Sequence, residues 1–250
     1  MVNMIKVIET PHLPKGSVRH IIIGEKYRNL LKKPLIEHNL APIWLKSNPY
    51  VDDRLSGHAD LSAVQIGKSM FLSEFLKPCQ QIGNIANVEY VPDPIKPEYP
   101  HDSRLNFCIV GDKLFYNPKT ANSELIERSG CTKLMSVKQG YTKCSICVVD
   151  ENAIITSDKM IAAAAQNIGM DVLYIEKPFV ALEGFEYGFI GGAAFKISVH
   201  ELAFTGIIEN TVVKKEIEDF LNERHIQAIY LTDKPIFDIG SAIPLTEQIQ

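Results

Sequence analysis

Four segments of the chain share one outline, and this repetition restricts the fold more than any other feature. "LSAVQIGKSMFLSE", "LNFCIVGDKLFYNP", "CSICVVDENAIITSD" and "FKISVHELAFTG" each run as an apolar or alternating stretch, a short turn and a second apolar stretch, the pattern of a β-hairpin. The turns at Gly67-Lys68, Gly111-Asp112 and Asp150-Glu151-Asn152 hold residues that accept positive φ or bond their own backbone; Val199-His200-Glu201 is the weakest match. A helical stretch follows each hairpin, and then a short strand: "VEYVPD", "KLMSVKQ", "DVLYIEK" and "QAIYLTD". The order is β-β-α-β. One helix is predicted from Met160 to Ile168, with Asp158 as its cap and Gly169 as its stop, and another follows Asn210 with Ile217, Phe220 and Leu221 on one face. "SELIERSG" gives a shorter helix ending at Gly130, and Pro78 interrupts the one expected between Ser73 and Gln81.

A fifth, degenerate unit precedes these: "SVRHIIIG", "EKYRNLLKKPLIEH" and "APIWLKS". Unit starts at Val18, His58, Arg104, Lys143 and Gly188 are separated by 40, 46, 39 and 45 residues. Periods of this size belong to arrays in which each unit buries its apolar face against its neighbours. The helices exclude an all-β propeller, and the hairpins exclude a doubly wound sheet. What remains is an α/β fold of five β-β-α-β units about a pseudo-fivefold axis, a single domain over residues 1–250. "YVPDPIKPEYPHD", with Pro92, Pro94, Pro97 and Pro100, reads as an extended crossing between the second and third units. The tail "KPIFDIGSAIP" is expected to pair with the first unit, close the ring and bring Asp238 to its channel.

Composition narrows the function. Apolar runs such as "MIAAAA" fall far short of the roughly 20 residues a bilayer crossing needs, and the N-terminus lacks a basic-then-apolar leader profile, so a cytoplasmic protein without membrane partners is expected. A net charge of −4 with no basic block offers no footprint for nucleic acid. Five cysteines, an odd number, argue for reduced thiols. Cys144-Ser-Ile-Cys147 lies in what reads as a strand, not at a helix N-terminus, and no second pair or histidine completes a zinc set, so two buried thiols are the simpler account. No metal or cofactor is expected.

The repeat pattern resembles the pentein fold, also called the guanidino-group-modifying enzyme fold, over nearly the whole chain. "GYTKCSICVVDENAIITSD" followed by "YGFIGGA" resembles a signature of a bacterial branch of it. The resemblance implies a closed propeller of five β-β-α-β units. Its members include arginine and agmatine deiminases, dimethylarginine hydrolases, amidinotransferases and a non-catalytic ribosome anti-association factor.

Aligning the hairpins on their turns sorts the first strands into columns. One reads Asp60, Arg104, Lys143 and Gly192, and two residues on it reads Ser62, Asn106, Ser145 and Ala194; the interleaved column is Leu61, Leu105, Cys144 and Ala193. Alternation of this kind ordinarily separates a solvated face from a core face. In a pentein the helices cover the outside, so the polar column is expected to line the central channel, with Arg104, Asn106, Lys143 and Ser145 as ligand contacts for a small molecule. A structural salt-bridge cluster is the alternative for Asp60, Arg104 and Lys143. "His58-Ala59-Asp60" is similar to the His-x-Asp of agmatine deiminases, although there it belongs to a later unit; the resemblance implies a proton-carrying histidine and a carboxylate that grips a guanidinium, against a hydrogen-bonding structural histidine.

"YGFIGGAAFKIS" is similar to the last-unit motif of the agmatine-deiminase-like members, in which Gly-Gly and two residues precede His-Cys, the cysteine being the nucleophile. Gly191, Gly192 and Ile197-Ser198 match; Phe195 and Lys196 stand where His-Cys is expected, and a lysine cannot form the thiouronium intermediate. The segment lacks the spacing of a phosphate loop, and its glycines are expected to permit a close backbone approach. Lys196 falls in the column of Cys108 and Cys147. Cys147, in phase with Lys143 and Ser145, is therefore the expected substitute nucleophile, with Cys144 out of phase unless a bulge near Gly140 reverses the order. Two functions remain open: a small-molecule-binding pentein, hydrolysing a guanidino, amidino or amide compound through a non-standard thiol site, or a non-catalytic pentein that binds a protein or ribosomal partner. A homo-oligomer is compatible with either.

Overall fold

The computed structural model describes residues 4–249. They form five small sheets. Four have the same construction: an antiparallel hairpin whose second strand pairs in parallel with a third strand, reached through helix. These are Ala63–Ile66, Ser69–Ser73 and Asn87–Val91 in blade two; Cys108–Val110, Lys113–Tyr116 and Lys133–Ser136 in blade three; Cys147–Asp150, Ala153–Thr156 and Asp171–Tyr174 in blade four; and Ala194–Ser198, Glu201–Phe204 and Gln227–Tyr230 in blade five.

Blade one explains its degenerate sequence. Ser17–Gly24 and Ala41–Leu45 pair in parallel, but the antiparallel partner comes from the other end of the chain: Ile243–Ile249 lies between Ser17–Gly24 and Met4–Val7. The ring thus closes through the strand just beyond the "KPIFDIGSAIP" segment.

The local signals act where expected. Asp158 Oδ1 accepts from the amides of Met160 and Ile161 at the start of helix Lys159–Gln166, and Asn210 Oδ1 accepts from Val212 and Val213 at the start of helix Thr211–Asn222. Gly169, at φ +78°, follows the first of these. Around Pro78 the chain makes only the turn Glu74–Leu76 and the short helix Gln80–Gly83.

Each pair of neighbouring blades shares one apolar cluster. Ile22 and Leu45 meet Met70 and Leu72; Val64 and Phe71 meet Phe107 and Leu114; Cys108 and Phe115 meet Val148 and Ile154. Val149 and Ile155 meet Leu202 and Phe204, and Ile197 and Ala203 meet Ile21 and Ile23. Five interfaces join five blades in a ring.

This packing overturns the polar-face column. Both faces of every inner strand are buried against a neighbouring blade, so the strands carry apolar residues at successive positions: Cys147 and Val149 face blade five while Val148 faces blade three. The polar residues of the column lie instead on or beside helical turns that precede the inner strands, at Ala59–Leu61, His101–Ser103, Thr142–Ser145 and Ile190–Ala193. A two-residue period does not apply to a helical turn, which is why the columns misplace several side chains.

Candidate active site

The helical turns bring together groups from distant parts of the sequence. Asp60, on the turn Ala59–Leu61, accepts a hydrogen bond from Cys144 Sγ at 2.9 Å on Oδ2. Cys144 sits on the turn Thr142–Ser145, which Asn106 clamps: its Oδ1 accepts the amides of Lys143 (2.8 Å) and Cys144 (3.2 Å), and its Nδ2 points to Sγ at 3.4 Å. Asp238, between blade five and the closing strand, accepts the amides of Phe189 and Gly240, each at 2.8 Å. A ring nitrogen of His58, Cys144 Sγ and a carboxylate oxygen of Asp238 all lie within 4.8 Å of one another.

Two glycines make the convergence possible. A Cβ on Gly192 would fall 1.9 Å from Asp238 Oδ1, and one on Gly240, which has φ +64°, would fall 2.1 Å from the Cβ of His58. The glycine pair of "YGFIGGA" therefore makes room for a carboxylate. Its partner Gly191 offers its carbonyl to Lys143 Nζ (2.9 Å) and Ser241 Oγ (2.7 Å), and Lys143 also reaches Ser241 Oγ at 2.9 Å. The lysine thus ties blade four, blade five and the closing segment together beneath Cys144.

His58, Asp60, Cys144 and Asp238 are all buried. Burial pushes the Cys144 thiol well above its ordinary value, and the Asp60 and Asp238 carboxylates add to this. Burial lowers His58 to about 4 and raises Asp238 to about 6. At neutral pH the site holds a protonated thiol and a neutral imidazole. His58 Nε2 and Asp60 Oδ1 are buried without a hydrogen-bond partner, so the site has two polar atoms that a ligand would satisfy. A cleft of about 300 Å³ opens above His58, Cys144 and Asp238, walled by Leu55, Tyr141, Leu182, Phe185, Tyr187 and Phe189, with Glu186 alongside. Tyr141 is held by its hydroxyl, which donates to Asp102 Oδ2 at 2.6 Å. The imidazole, thiol and carboxylate are also the donors that would hold a soft divalent metal ion.

The other sequence candidates fall elsewhere. Cys147 is fully buried in the apolar cluster between blades four and five, where burial pushes its thiol up to about 12, and it does not line the cleft. Arg104 is turned outward, its Nη1 reaching the Pro92 carbonyl at 3.4 Å. Ser145 Oγ donates to the Tyr141 carbonyl within its own turn. Lys196 donates to the Val199 carbonyl at the hairpin turn of blade five, where burial lowers it to about 8. It borders, with His12 and Lys143, a separate void of about 10 Å³. The thiol that joins the site is Cys144, and the sequence held a signal for it. Gly140-Tyr-Thr-Lys143-Cys144 keeps a glycine, two residues, a basic residue and a cysteine in the order of the family motif, but in the fourth unit, not the last.

Five β-β-α-β blades closed in a ring, with a buried thiol, imidazole and carboxylates on the turns at one end, define a protein of the pentein fold. Among solved structures the chain is similar to the inosamine-phosphate amidinotransferase of Streptomyces griseus (TM-score 0.57, 8% identity, covering 96% of this chain and 97% of that one). It is also similar to an agmatine deiminase of C. jejuni with substrate bound (TM-score 0.55, 11% identity, 97% and 96%). A dimethylarginine dimethylaminohydrolase adduct is a third (TM-score 0.51, 10% identity, 93% and 100%). By sequence the chain belongs to the family of unknown function DUF6873, which it matches over residues 22–243. No curated protein matches it. Among the described residues no helix is long and apolar enough to cross a membrane.

Proposed function

We propose that this protein is a thiol-dependent enzyme acting on a carbon–nitrogen bond of a guanidino or amidino compound, with Cys144 as nucleophile, His58 as proton carrier, and Asp60 and Asp238 as the carboxylates that hold the cationic group. The observation that carries this reading is the convergence of a thiol, an imidazole and the Asp238 carboxylate at the floor of a single cleft, with the Asp60 carboxylate hydrogen-bonded to that thiol. The amidinotransferase and deiminase similarities support it at the level of fold.

The electrostatics favour a cationic substrate. Two buried carboxylates beside a thiol suppress the thiolate, and a guanidinium placed between them offsets their charge and lowers the thiol's proton affinity. Sγ then bonds to the guanidino carbon as its proton passes to His58. The imidazolium protonates one nitrogen as that C–N bond breaks, leaving an amidino group on sulfur and releasing an amine or ammonia. In hydrolysis, neutral His58 takes a proton from water, whose oxygen bonds to the carbon. The C–S bond breaks and the thiol is reprotonated, giving a ureido product from a guanidine or an amide from an amidine. The buried imidazole, neutral at neutral pH, is in the protonation state the first step needs.

The test is turnover of guanidino and amidino compounds, followed as ureido or amide product, respectively, and as released amine or ammonia. Cys144→Ser is expected to reduce turnover by at least about 10³-fold, whereas Cys147→Ala retains it. Turnover that survives Cys144→Ser, or that disappears in a folded Cys147→Ala, refutes the assignment.

A further inference from the structure

The walls of the cleft say more about the substrate than its floor does. Apart from Tyr141 and Tyr187, the charged or titratable side chains that line it are His58, Cys144, Asp238 and Glu186, and no lysine or arginine is among them. Lys143, next to Cys144, is buried and committed to the Gly191 carbonyl and the Ser241 hydroxyl. Two further cations, Arg54 and Lys26, belong to an adjoining cleft, which shares Leu182, Phe185, Glu186 and Asp238 with this one. Both are already engaged. Arg54 is held by Asp52 through two bonds, at 2.9 and 2.6 Å, gives Nη1 to the Gly184 carbonyl at 3.0 Å, and stacks its guanidinium 4.3 Å over the Phe185 ring. Lys26 donates to the Arg54 carbonyl at 3.2 Å. A substrate carboxylate entering this cleft would meet Glu186 and Asp238, and no lysine or arginine lines the cleft to pair with it.

The rest of the wall is apolar. Phe185 and Tyr187 expose 39% and 43% of their surface, a large amount for aromatic residues, and both border the cleft. Tyr187 meets Phe189 edge-on at 6.1 Å, and Phe189 lies 6.5 Å from Tyr141, so the rings continue from the rim toward Cys144. Arg54 fixes Phe185 from outside the cleft, which presets this wall at little entropic cost to a ligand.

Resting on the reading of the site given above, we infer that the substrate is a guanidine or amidine whose substituent is apolar or aromatic and carries no carboxylate. The cationic head sits at the cleft floor against Asp238, beside the thiol of Cys144 that Asp60 holds. The substituent lies along Tyr141, Phe189 and Tyr187. Glu186 turns away acidic substituents and tolerates a second cation. Free amino acids such as arginine are disfavoured by their carboxylate, not by their guanidinium.

The test separates binding from chemistry. Benzylguanidine, butylguanidine, agmatine and arginine are titrated into Cys144→Ala by calorimetry, and in parallel their effect on the thermal midpoint of the wild-type protein is measured, so that a folding defect in the variant does not decide the outcome. The three carboxylate-free compounds are expected to bind at least about tenfold more tightly than arginine, benzylguanidine ahead of butylguanidine, and Glu186→Ala is expected to narrow the gap by strengthening arginine. Arginine binding as tightly as benzylguanidine, or no binding by any of the four, overturns the inference. Absence of turnover with the same order of binding would overturn the catalytic reading alone.

Discussion

His58 and Asp238 are buried side by side and shifted in opposite directions, and the pH dependence of stability is expected to expose this only when one of them is removed. Asp238 titrates at about 6 in the folded protein against 3.8 when exposed. Between these values the folded state holds a proton that the unfolded state has lost, so stability falls as pH rises from 4 to 6. His58 titrates at about 4 against 6.5. Over nearly the same window the unfolded state holds the extra proton, so stability rises with pH. Each effect spans a little over two pH units, and at about 1.36 kcal/mol per unit each amounts to about 3 kcal/mol. The two nearly cancel in the wild-type protein. In His58→Gln the Asp238 effect stands alone, and stability should lose about 3 kcal/mol between pH 4 and 7 relative to wild type; in Asp238→Asn it should gain about as much. The asparagine keeps one acceptor for the Gly240 amide and loses one at Phe189, an offset that does not vary with pH. Urea titrations at half-unit steps of pH, read by the single tryptophan, Trp44, would measure both slopes. Slopes identical to wild type in both variants would show that these groups are not buried in the states described.

Further outcomes follow from the same contacts. Gly192→Ala places a methyl against the Asp238 carboxylate, and should cost about 1–3 kcal/mol of stability and about 100-fold in turnover, while Gly83→Ala, with open space at its Cβ, serves as the neutral comparison; equal turnover in the two would contradict the placement of Asp238. Lys143→Met leaves the Gly191 carbonyl and Ser241 hydroxyl without their cation and removes a positive charge that favours ionised Asp238. It should destabilise by about 1–3 kcal/mol and move the Asp238 step in the stability profile to higher pH, an upward shift that Lys143→Arg should lessen.

The units, turns and caps of this fold are written in neighbouring residues. Asp158 and Asn210 cap the helices that follow them, Gly67 and Gly111 make their turns at positive φ, and the β-β-α-β order repeats at the intervals of an array of packed units. His58 and Asp60 were likewise visible as chemical groups at a unit start, and Asp238 in the closing tail. Alternation did not choose between the two candidate thiols, because the choice between Cys144 and Cys147 turns on whether residues 142–145 form a strand or a helical turn, and alternation is the same evidence for both over so short a stretch; only the Gly140-to-Cys144 order pointed to Cys144. The ring decides it. Its five apolar interfaces claim both faces of each inner strand, which puts Cys147 in the core. The polar residues are left to the turns at the strand ends, where Asn106 clamps the turn that presents Cys144 to an aspartate 84 residues away. Contacts across that separation are fixed by how the blades close on one another, and no period within a blade encodes them.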